Sequence, residues 1–373
     1  RPRSNQQSRR SAITPLGWLE RLTERLKLKF GIFTHVPWPE GSNPKQLMED
    51  ATEQAVIAEE LGYYSYWLAE HHFSRYGIGS SPLVLASSMA ARTKTIRLGT
   101  AVLVPPLHHP IKLAEDGATL DLISGGRFDA GFGRGTAGYE YAGYHVDREE
   151  SQSRFQESIQ IIQGLWTTPD FSFAGQHYQV KHANLVPMPE QKPHPPIYIA
   201  ATRTPETLEF LISTGHPLIT GVVLDHDDAT DLCRRFVTLS EQAGHSVPLS
   251  QVPFFRYCYV AETEEQARRE AEPAMRWTQD MIQWRRQFTE GSEVYHKLDD
   301  FRRTRTQEPP NYDYLAEKRA IIGTPEQCVA KIREFQKLGI EYFGCNFEFG
   351  GMAQKTVLNC MELFAKEVMP HFS

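Results

Sequence analysis

The stretch Tyr66-Trp67-Leu68-Ala69-Glu70-His71-His72-Phe73-Ser74 is an apolar run that ends in an acid and two adjacent histidines. Small residues and glycines follow as far as Ser81, which is typical of a loop. The pattern predicts a buried strand that presents polar side chains at its carboxyl end. In parallel α/β proteins, binding and catalytic groups lie at that end of the sheet. We therefore expect the functional site here.

Strand-like and helix-like segments alternate along most of the remaining chain. Helical patterns separate the strands, and a hairpin is expected as an insertion at 171–180. This alternation predicts a parallel sheet. Eight strand–helix units fit a (β/α)8 TIM barrel better than an open sheet, so the predicted fold class is an α/β TIM barrel. Strands are expected at 28–34, 64–69, 96–104, 127–133, 197–201, 218–223, 254–261 and 341–347.

Two regions interrupt the alternation. Residues 1–27 begin with a segment rich in Arg and Ser but lack the apolar run of a signal peptide. We interpret them as an N-terminal extension or linker, with a transit peptide as the alternative, and 28–373 as the barrel domain. Residues 289–319 are charged and contain Pro309-Pro310. So long an irregular stretch is usually a functional loop or disordered, and a lid and a disordered insertion are both possible.

Composition narrows the possible partners and compartment. The net charge of −6 does not favour nucleic acid, which usually needs a concentrated basic face. The five cysteines are widely spaced and form no C-x-x-C pair, which indicates free thiols in a reducing cytosol and a cytoplasmic protein. No apolar run is long enough to cross a bilayer. The sequence does not begin with Met, so we expect a processed chain or a piece of a longer one, which could act on a carrier-bound substrate.

Glu70, His71 and His72 allow three interpretations: a metal site, a structural polar network, or general acid–base chemistry. Adjacent residues of a strand point to opposite faces, so His71 and His72 rarely reach one ion. We therefore expect no metal site. His108 and His109 lie beside prolines and are interpreted as exposed.

Two further segments follow predicted strands. In Gly131-Phe132-Gly133-Arg134-Gly135, the glycines permit close backbone approach and the arginine can bind phosphate, although a simple tight turn is the alternative. Ala201-Thr202-Arg203-Thr204-Pro205 places hydroxyls and free amides before a helix, which is typical of an anion site. Plain helix capping by Thr204 explains the same residues.

In their order and spacing, these motifs resemble the bacterial luciferase-like family of flavin-dependent monooxygenases, which includes alkanal monooxygenase. The resemblance runs from about residue 28 to 372. The remaining motifs that carry it are Phe30-Gly31-Ile32-Phe33, Gly99-Thr100-Ala101-Val102, His109-Pro110, Leu122-Ile123-Ser124-Gly125-Gly126-Arg127-Phe128 and Pro196-Ile197-Tyr198-Ile199-Ala200.

The resemblance implies a barrel with reduced FMN at its carboxyl mouth. It implies that a separate NAD(P)H flavin reductase supplies the flavin, that O2 converts it to a C4a-hydroperoxyflavin, and that a small or medium organic substrate is oxygenated. It also implies a homodimer. Two alternatives stay open, because relatives with this fold use the deazaflavin F420 for hydride transfer, and a non-catalytic flavin-binding protein would share the same motifs.

The resemblance also assigns residues. His71 is implied as the acid–base histidine with His72 as its neighbour, and Ala101-Val102 as a non-prolyl cis peptide beneath the flavin ring. Arg134 is implied as the phosphate arginine. Light-emitting relatives carry a reactive cysteine just before it, where this chain has Gly133, so a dark oxygenation is expected. The other residues expected to contact the cofactor are Glu70, Thr100, Ala201, Thr202, Arg203 and Thr204.

Overall fold

The computed structural model describes residues 27–202 and 204–372. Apart from Lys27, the predicted N-terminal extension lies outside these residues. Nine strands form one parallel sheet, and two more, β5 and β6, form the predicted antiparallel hairpin. The strands are β1 Lys29–Thr34, β2 Ser65–Leu68, β3 Arg97–Thr100, β4 Phe128–Phe132, β5 Phe171–Ala174, β6 Gln179–Ala183, β7 Ile197–Ala200, β8 Leu218–Ile219, β9 Phe254–Val260, β10 Ala320–Gly323 and β11 Tyr342–Glu348.

The large sheet closes on itself. Its strand order is β10-β9-β11-β1-β2-β3-β4-β7-β8. An isolated parallel bridge between Thr220 and Phe254 joins the β8 edge to β9, and the backbone N–H of Phe255 donates to Thr220 Oγ1 at 3.1 Å. Eight strands therefore complete a barrel, while β10 pairs with β9 beyond the closure. The predicted α/β barrel is confirmed.

The strands differ from the prediction in three respects. The strand predicted at 218–223 is only two residues long, Leu218–Ile219. Residues 101–104 leave the sheet after β3, with Leu103 keeping only an isolated bridge to Phe132. The strand β10 was missed, because four apolar residues directly after an irregular charged stretch are too few to show a period. Its pairing with β9 is a tertiary contact that no local pattern reports.

The described chain contains twelve α-helices, mostly on the outside of the barrel. None of them is long and apolar enough to span a bilayer. They are α1 Pro44–Glu60, α2 Pro82–Ala90, α3 Pro110–Ser124, α4 Gly138–Gly143, α5 Ser151–Thr167, α6 Pro205–Thr214, α7 His226–Gln242, α8 Glu264–Arg285, α9 Leu298–Thr304, α10 Tyr312–Lys318, α11 Pro325–Lys337 and α12 Gln354–Glu367.

The barrel interior is filled by aromatic rings. Trp67 on β2 packs edge-on against Tyr198 and Phe255, and its indole N–H donates to Tyr342 Oη at 2.9 Å. Gly99 on β3 makes room for this ring, because a Cβ there would lie 2.2 Å from the indole. Filled layers of this kind close the barrel centre and leave the carboxyl rim as the place for a ligand.

The charged region 289–319 contains helices α9 and α10. We call residues 288–305 the cap. Glu293 of the cap accepts hydrogen bonds from Ser74 Oγ at 2.6 Å and from the N–H of Arg75 at 2.7 Å, in the loop after β2. The fully buried Asp280 of α8 pairs with Arg302 at 2.7 Å and Arg305 at 2.5 Å. The cap is thus fastened to the carboxyl rim, and its movement as a lid stays a prediction.

Candidate active site

A cavity of about 190 Å3 opens at the carboxyl ends of β2, β3, β4 and β7. The peptide bond between Ala101 and Val102 in its wall is cis, as the resemblance implies. Segments that lie far apart in the sequence therefore meet at one edge of the sheet. The predicted site residues that line this cavity are Glu70, His71, Ala101, Val102, Arg134, Ala201, Thr202 and Thr204.

One end of the cavity has the features of a phosphate site. The guanidinium of Arg134 donates to Ser151 Oγ at 3.2 Å and to Thr204 Oγ1 at 3.3 Å. Across the described residues, no carboxylate lies within salt-bridge distance of Arg134. A half-buried cation with only neutral partners is suited to an anionic ligand.

Thr204 precedes α6 as its capping residue, but its side chain makes no capping hydrogen bond. Its hydroxyl instead accepts from Arg134. Plain capping by Thr204 is therefore not observed, and the anion site at the start of α6 stays a prediction. The predicted contribution of Arg203 lies outside the described residues.

His71 lies between an acidic side chain, Glu140, and a positively charged one, Arg285. Its Nδ1 is 3.1 Å from Glu140 Oε1 and 3.3 Å from Arg285 Nη1. Its ring stacks on that of His35, with the ring centroids 5.6 Å apart. Burial and the charge of Arg285 lower the pKa of His71, and Glu140 opposes them.

Glu140 influences which ring nitrogen of His71 carries the proton. Burial tends to raise the pKa of Glu140, but the hydrogen bond with His71 and the N–H of His72 outweigh it and lower the pKa. An ionised Glu140 can only accept, which favours a proton on Nδ1 of neutral His71, whereas the donor-only guanidinium of Arg285 favours a bare Nδ1. The contact with Glu140 is the shorter of the two, at 3.1 Å against 3.3 Å, and favours Nδ1–H. The Nε2 atom is then left as the free base.

Glu70 lines the cavity and its carboxylate contacts protein groups, while its predicted cofactor contact stays a prediction. Its side chain is enclosed, with Oε1 2.7 Å from His72 Nε2 and 2.6 Å from His108 Nε2. Its other oxygen accepts from the N–H of Val104 at 3.0 Å. The carboxylate therefore connects the loop after β2 to the segment after β3.

Two other predicted residues do not line the cavity. Thr100 uses its hydroxyl to donate to the carbonyl of Gly131 at 2.9 Å and to accept from the N–H of Gly131 at 3.0 Å, which joins β3 to β4. His72 is buried, with Glu70 on one ring nitrogen and Tyr144 Oη 3.1 Å from the other. Both support the site without facing it.

Sequence reasoning missed Glu140, Arg285 and His108. Glu140 lies on the short helix α4, in a segment that did not resemble a helix, and an acid among tyrosines was its only signal. Arg285 ends the 22-residue helix α8 and has no local motif. His108 was interpreted as exposed, and the structure shows instead that it binds the enclosed Glu70.

The position before the phosphate arginine is tightly packed. A Cβ on Gly133 would lie 2.5 Å from Cγ2 of Val102 and 3.6 Å from Cβ of Ala200. Any larger residue here, cysteine included, requires Val102 to move. The packing beside the cis peptide therefore agrees with glycine at this position.

A family model described as Luciferase-like monooxygenase matches residues 28–342. The chain belongs to the luciferase-like monooxygenase family. The oxygenase component of flavin-dependent trigonelline monooxygenase from Acinetobacter baylyi is 28% identical over 354 residues, which cover 93% of this chain and 96% of the relative. The alkanal monooxygenase alpha chain of Photorhabdus luminescens is 23% identical over 362 residues, covering 92% and 96%.

Solved structures of luciferase-like proteins share the barrel. Monooxygenase RslO1 from Streptomyces bottropensis aligns with a TM-score of 0.82 and 26% identity, covering 93% of this chain and all of that one. The oxygenating constituent of 3,6-diketocamphane monooxygenase from Pseudomonas putida, solved with FMN, gives 0.75 at 18% identity, covering 92% and 98%. An F420-dependent secondary alcohol dehydrogenase gives 0.73 at 19% identity, covering 93% and 99%. The last two likenesses show the fold alone.

Proposed function

We propose that this flavin-dependent monooxygenase uses reduced FMN and O2, through a C4a-hydroperoxyflavin, to oxygenate a small or medium organic substrate without emitting light. The observation that carries the proposal is one cavity that is lined both by His71 and by the hydrogen-bonded pair Arg134 and Thr204. One bound flavin needs an anion site for its phosphate and a proton-handling group near its ring.

The residues present fit FMN. Arg134 has no acidic partner among the described residues, and the hydroxyl of Thr204 faces it instead of capping α6. Both are suited to a phosphate dianion at a helix start. Ala101, Val102 and Gly133 line the same cavity and offer apolar contacts to the flavin ring. When bound, reduced flavin supplies the electrons that activate O2.

The chain's own contribution is proton handling and exclusion of water. With Nδ1–H donated to Glu140, His71 can accept a proton on Nε2 and return it as a general acid. The positive charge of Arg285 disfavours the imidazolium form of His71 and so lowers the pKa of His71. The cap is hydrogen-bonded to the loop after β2, and by closing over the rim it would exclude water from a reactive oxygen adduct.

A second groove supports FMN over F420. This groove, about 540 Å3, shares Thr202 and Thr204 with the cavity and continues between α6 and α7. The tail of F420 carries carboxylates beyond its phosphate. In this groove the tail would meet one basic side chain, Arg235, and three acidic ones. The acidic side chains are Glu209, Asp228 and Asp231. Like charges disfavour that placement.

We further propose a two-component system, in which a separate NAD(P)H flavin reductase supplies the cofactor, because the trigonelline relative is named as an oxygenase component. A homodimer is proposed from the family resemblance and is tested by light scattering. A cytoplasmic location agrees with five buried cysteines that form no disulfide. Free and carrier-bound substrates both belong in a substrate screen.

The deciding experiment is rapid mixing. The protein is loaded anaerobically with reduced FMN and mixed with oxygenated buffer, and absorbance is followed. We expect an oxygenated flavin species that lasts longer than the species formed when free reduced flavin reacts with oxygen in solution. Reduced F420 is tested in parallel. Tight F420 binding without FMN binding would move the assignment to hydride transfer, and FMN binding without any oxygen adduct or substrate turnover would leave a flavin-holding protein.

A further inference from the structure

Three metal-ligand atoms converge beside the cavity. Glu70 Oε1 lies 2.7 Å from His72 Nε2 and 2.6 Å from His108 Nε2, and the three atoms lie within 4.8 Å of one another. Glu70 and His72 are buried, whereas the His108 side chain is 27% exposed, so His108 connects the cluster to solvent. Two imidazoles and one carboxylate are a common donor set of zinc sites.

The cluster holds a buried negative charge. The carboxylate accepts from two imidazoles on Oε1 and from the N–H of Val104 on Oε2, which is the hydrogen-bond pattern of an ionised carboxylate. In residues 27–202 and 204–372, only histidines lie within salt-bridge distance of this carboxylate. A buried carboxylate without a permanent cation is costly unless protons or a metal ion balance it.

Two neighbouring groups orient the donors. The N–H of Val104 donates a hydrogen bond to Glu70 Oε2 at 3.0 Å, and Oε1 is the oxygen that contacts the imidazoles. Tyr144 Oη lies 3.1 Å from His72 Nδ1. When that hydroxyl accepts the Nδ1 proton, Nε2 is the bare nitrogen that a metal needs. Metal-bound histidines usually donate their second ring N–H in this way.

We propose that Glu70, His72 and His108 bind one divalent transition-metal cation, with Zn²⁺ as the representative ion. Binding displaces the Nε2 protons that the imidazoles share with Glu70: a neutral imidazole moves its proton to Nδ1, and an imidazolium releases one proton to solvent. Donors at zinc distances of about 2.0–2.1 Å lie roughly 3.3 Å apart in a tetrahedral site, so the donors must separate slightly. His108 can move, because it is partly exposed and follows a short 3-10 turn, Pro105–Leu107.

The sequence argument against a metal assumed that His71 and His72 would share it. The structure confirms that they diverge, since His71 contacts Glu140 and His72 contacts Glu70. The second imidazole comes from His108 in the next loop of the rim. This site needs neither the flavin nor His71, so it is separate from the proposed oxygenase chemistry.

The test is calorimetric titration of the chelator-treated full chain with ZnCl2, in two buffers of different ionisation enthalpy. We expect one ion per chain, with proton release, and affinity that rises with pH. Titration with Co²⁺ should add the visible absorption bands of a low-symmetry site. The wild-type protein failing to bind either ion would overturn the proposal.

Variants locate the ion. His108→Asn should weaken Zn²⁺ binding at least about tenfold. The matched control is His109→Asn, because His109 is exposed, packs against Tyr178 and lies outside the cluster. Glu70→Gln is a second test, with circular dichroism to verify folding. Equal binding by wild type and a folded His108→Asn would assign the ion to surface histidines and reject the site.

Discussion

At the scale of single residues, Arg134 is expected to control flavin affinity. It is a half-buried cation with hydroxyl partners from α5 and from the start of α6. Hydrogen bonds to charged groups contribute about 1.5–3 kcal/mol, so Arg134→Ala should weaken FMN binding by roughly tenfold to a hundredfold. Titration of flavin fluorescence measures this. Arg92→Ala is the control, because Arg92 is exposed near the amino end of β3; unchanged affinity in Arg134→Ala contradicts the phosphate site.

His71 provides a second residue-scale prediction, in which two neighbours shift its pKa in opposite directions. Glu140→Gln should lower the pKa of His71 further, because it removes the acid that favours imidazolium. Arg285→Met should raise it, because it removes the nearby positive charge. The other titratable rings near His71 are those of His35, His72 and Tyr76.

NMR titration of the His71 ring measures both shifts. Glu149→Gln is the control, because Glu149 is an exposed acid of the same segment as Glu140. Shifts of the same sign in the Glu140 and Arg285 variants would show that packing, and not charge, sets the pKa. A pKa below the ordinary value of 6.5 keeps His71 neutral and basic at physiological pH.

At the scale of elements, the cap depends on one buried acid. Asp280 of α8 is fully enclosed and pairs with Arg302 and Arg305, and the Arg305 side chain is itself 3% exposed. Asp280→Asn removes the buried acid and leaves Arg305 with only the exposed Glu308 as an acidic partner among the described residues, so we expect the free energy of opening the cap to fall by about 2–4 kcal/mol.

Hydrogen exchange across residues 288–305, together with limited proteolysis, measures this loss. Asp299→Asn is the matched control, because Asp299 also pairs with Arg302 but its side chain is 75% exposed. Its effect should stay below about 0.5 kcal/mol. Comparable exchange in the two variants would mean that the ion pairs with Asp280 do not hold the cap.

At the scale of the whole molecule, the Glu70–His72–His108 cluster makes stability depend on pH. The folded pKa of Glu70 is lowered from 4.5 to about 2, so its stabilisation is present above pH 4.5 and is lost as pH falls toward 2. Glu70 raises the pKa of His108, against the effect of burial, and Asp116 adds to the increase. The His108 contribution is therefore present below pH 6.5 and is lost as pH rises through its folded pKa.

Thermal unfolding in the presence of chelator measures this dependence. We expect the melting temperature of wild type to exceed that of His108→Asn most near pH 6, and the difference to shrink toward pH 9. Glu49→Gln on α1 is the control, because its exposed pair with Lys45 contributes little. A difference that does not vary with pH would show that His108 stabilises the fold by packing alone.

The sequence by itself determined the order of strands, loops and helices, and hence the barrel and its functional rim, because these follow from local periodicity and turn residues. The resemblance located the cis peptide between Ala101 and Val102. Only the tertiary structure brought Glu140 and Arg285 to His71, across 69 and 214 positions of sequence, and His108 to Glu70. Those contacts depend on barrel closure and helix packing, which join distant segments and leave no periodic pattern along the chain.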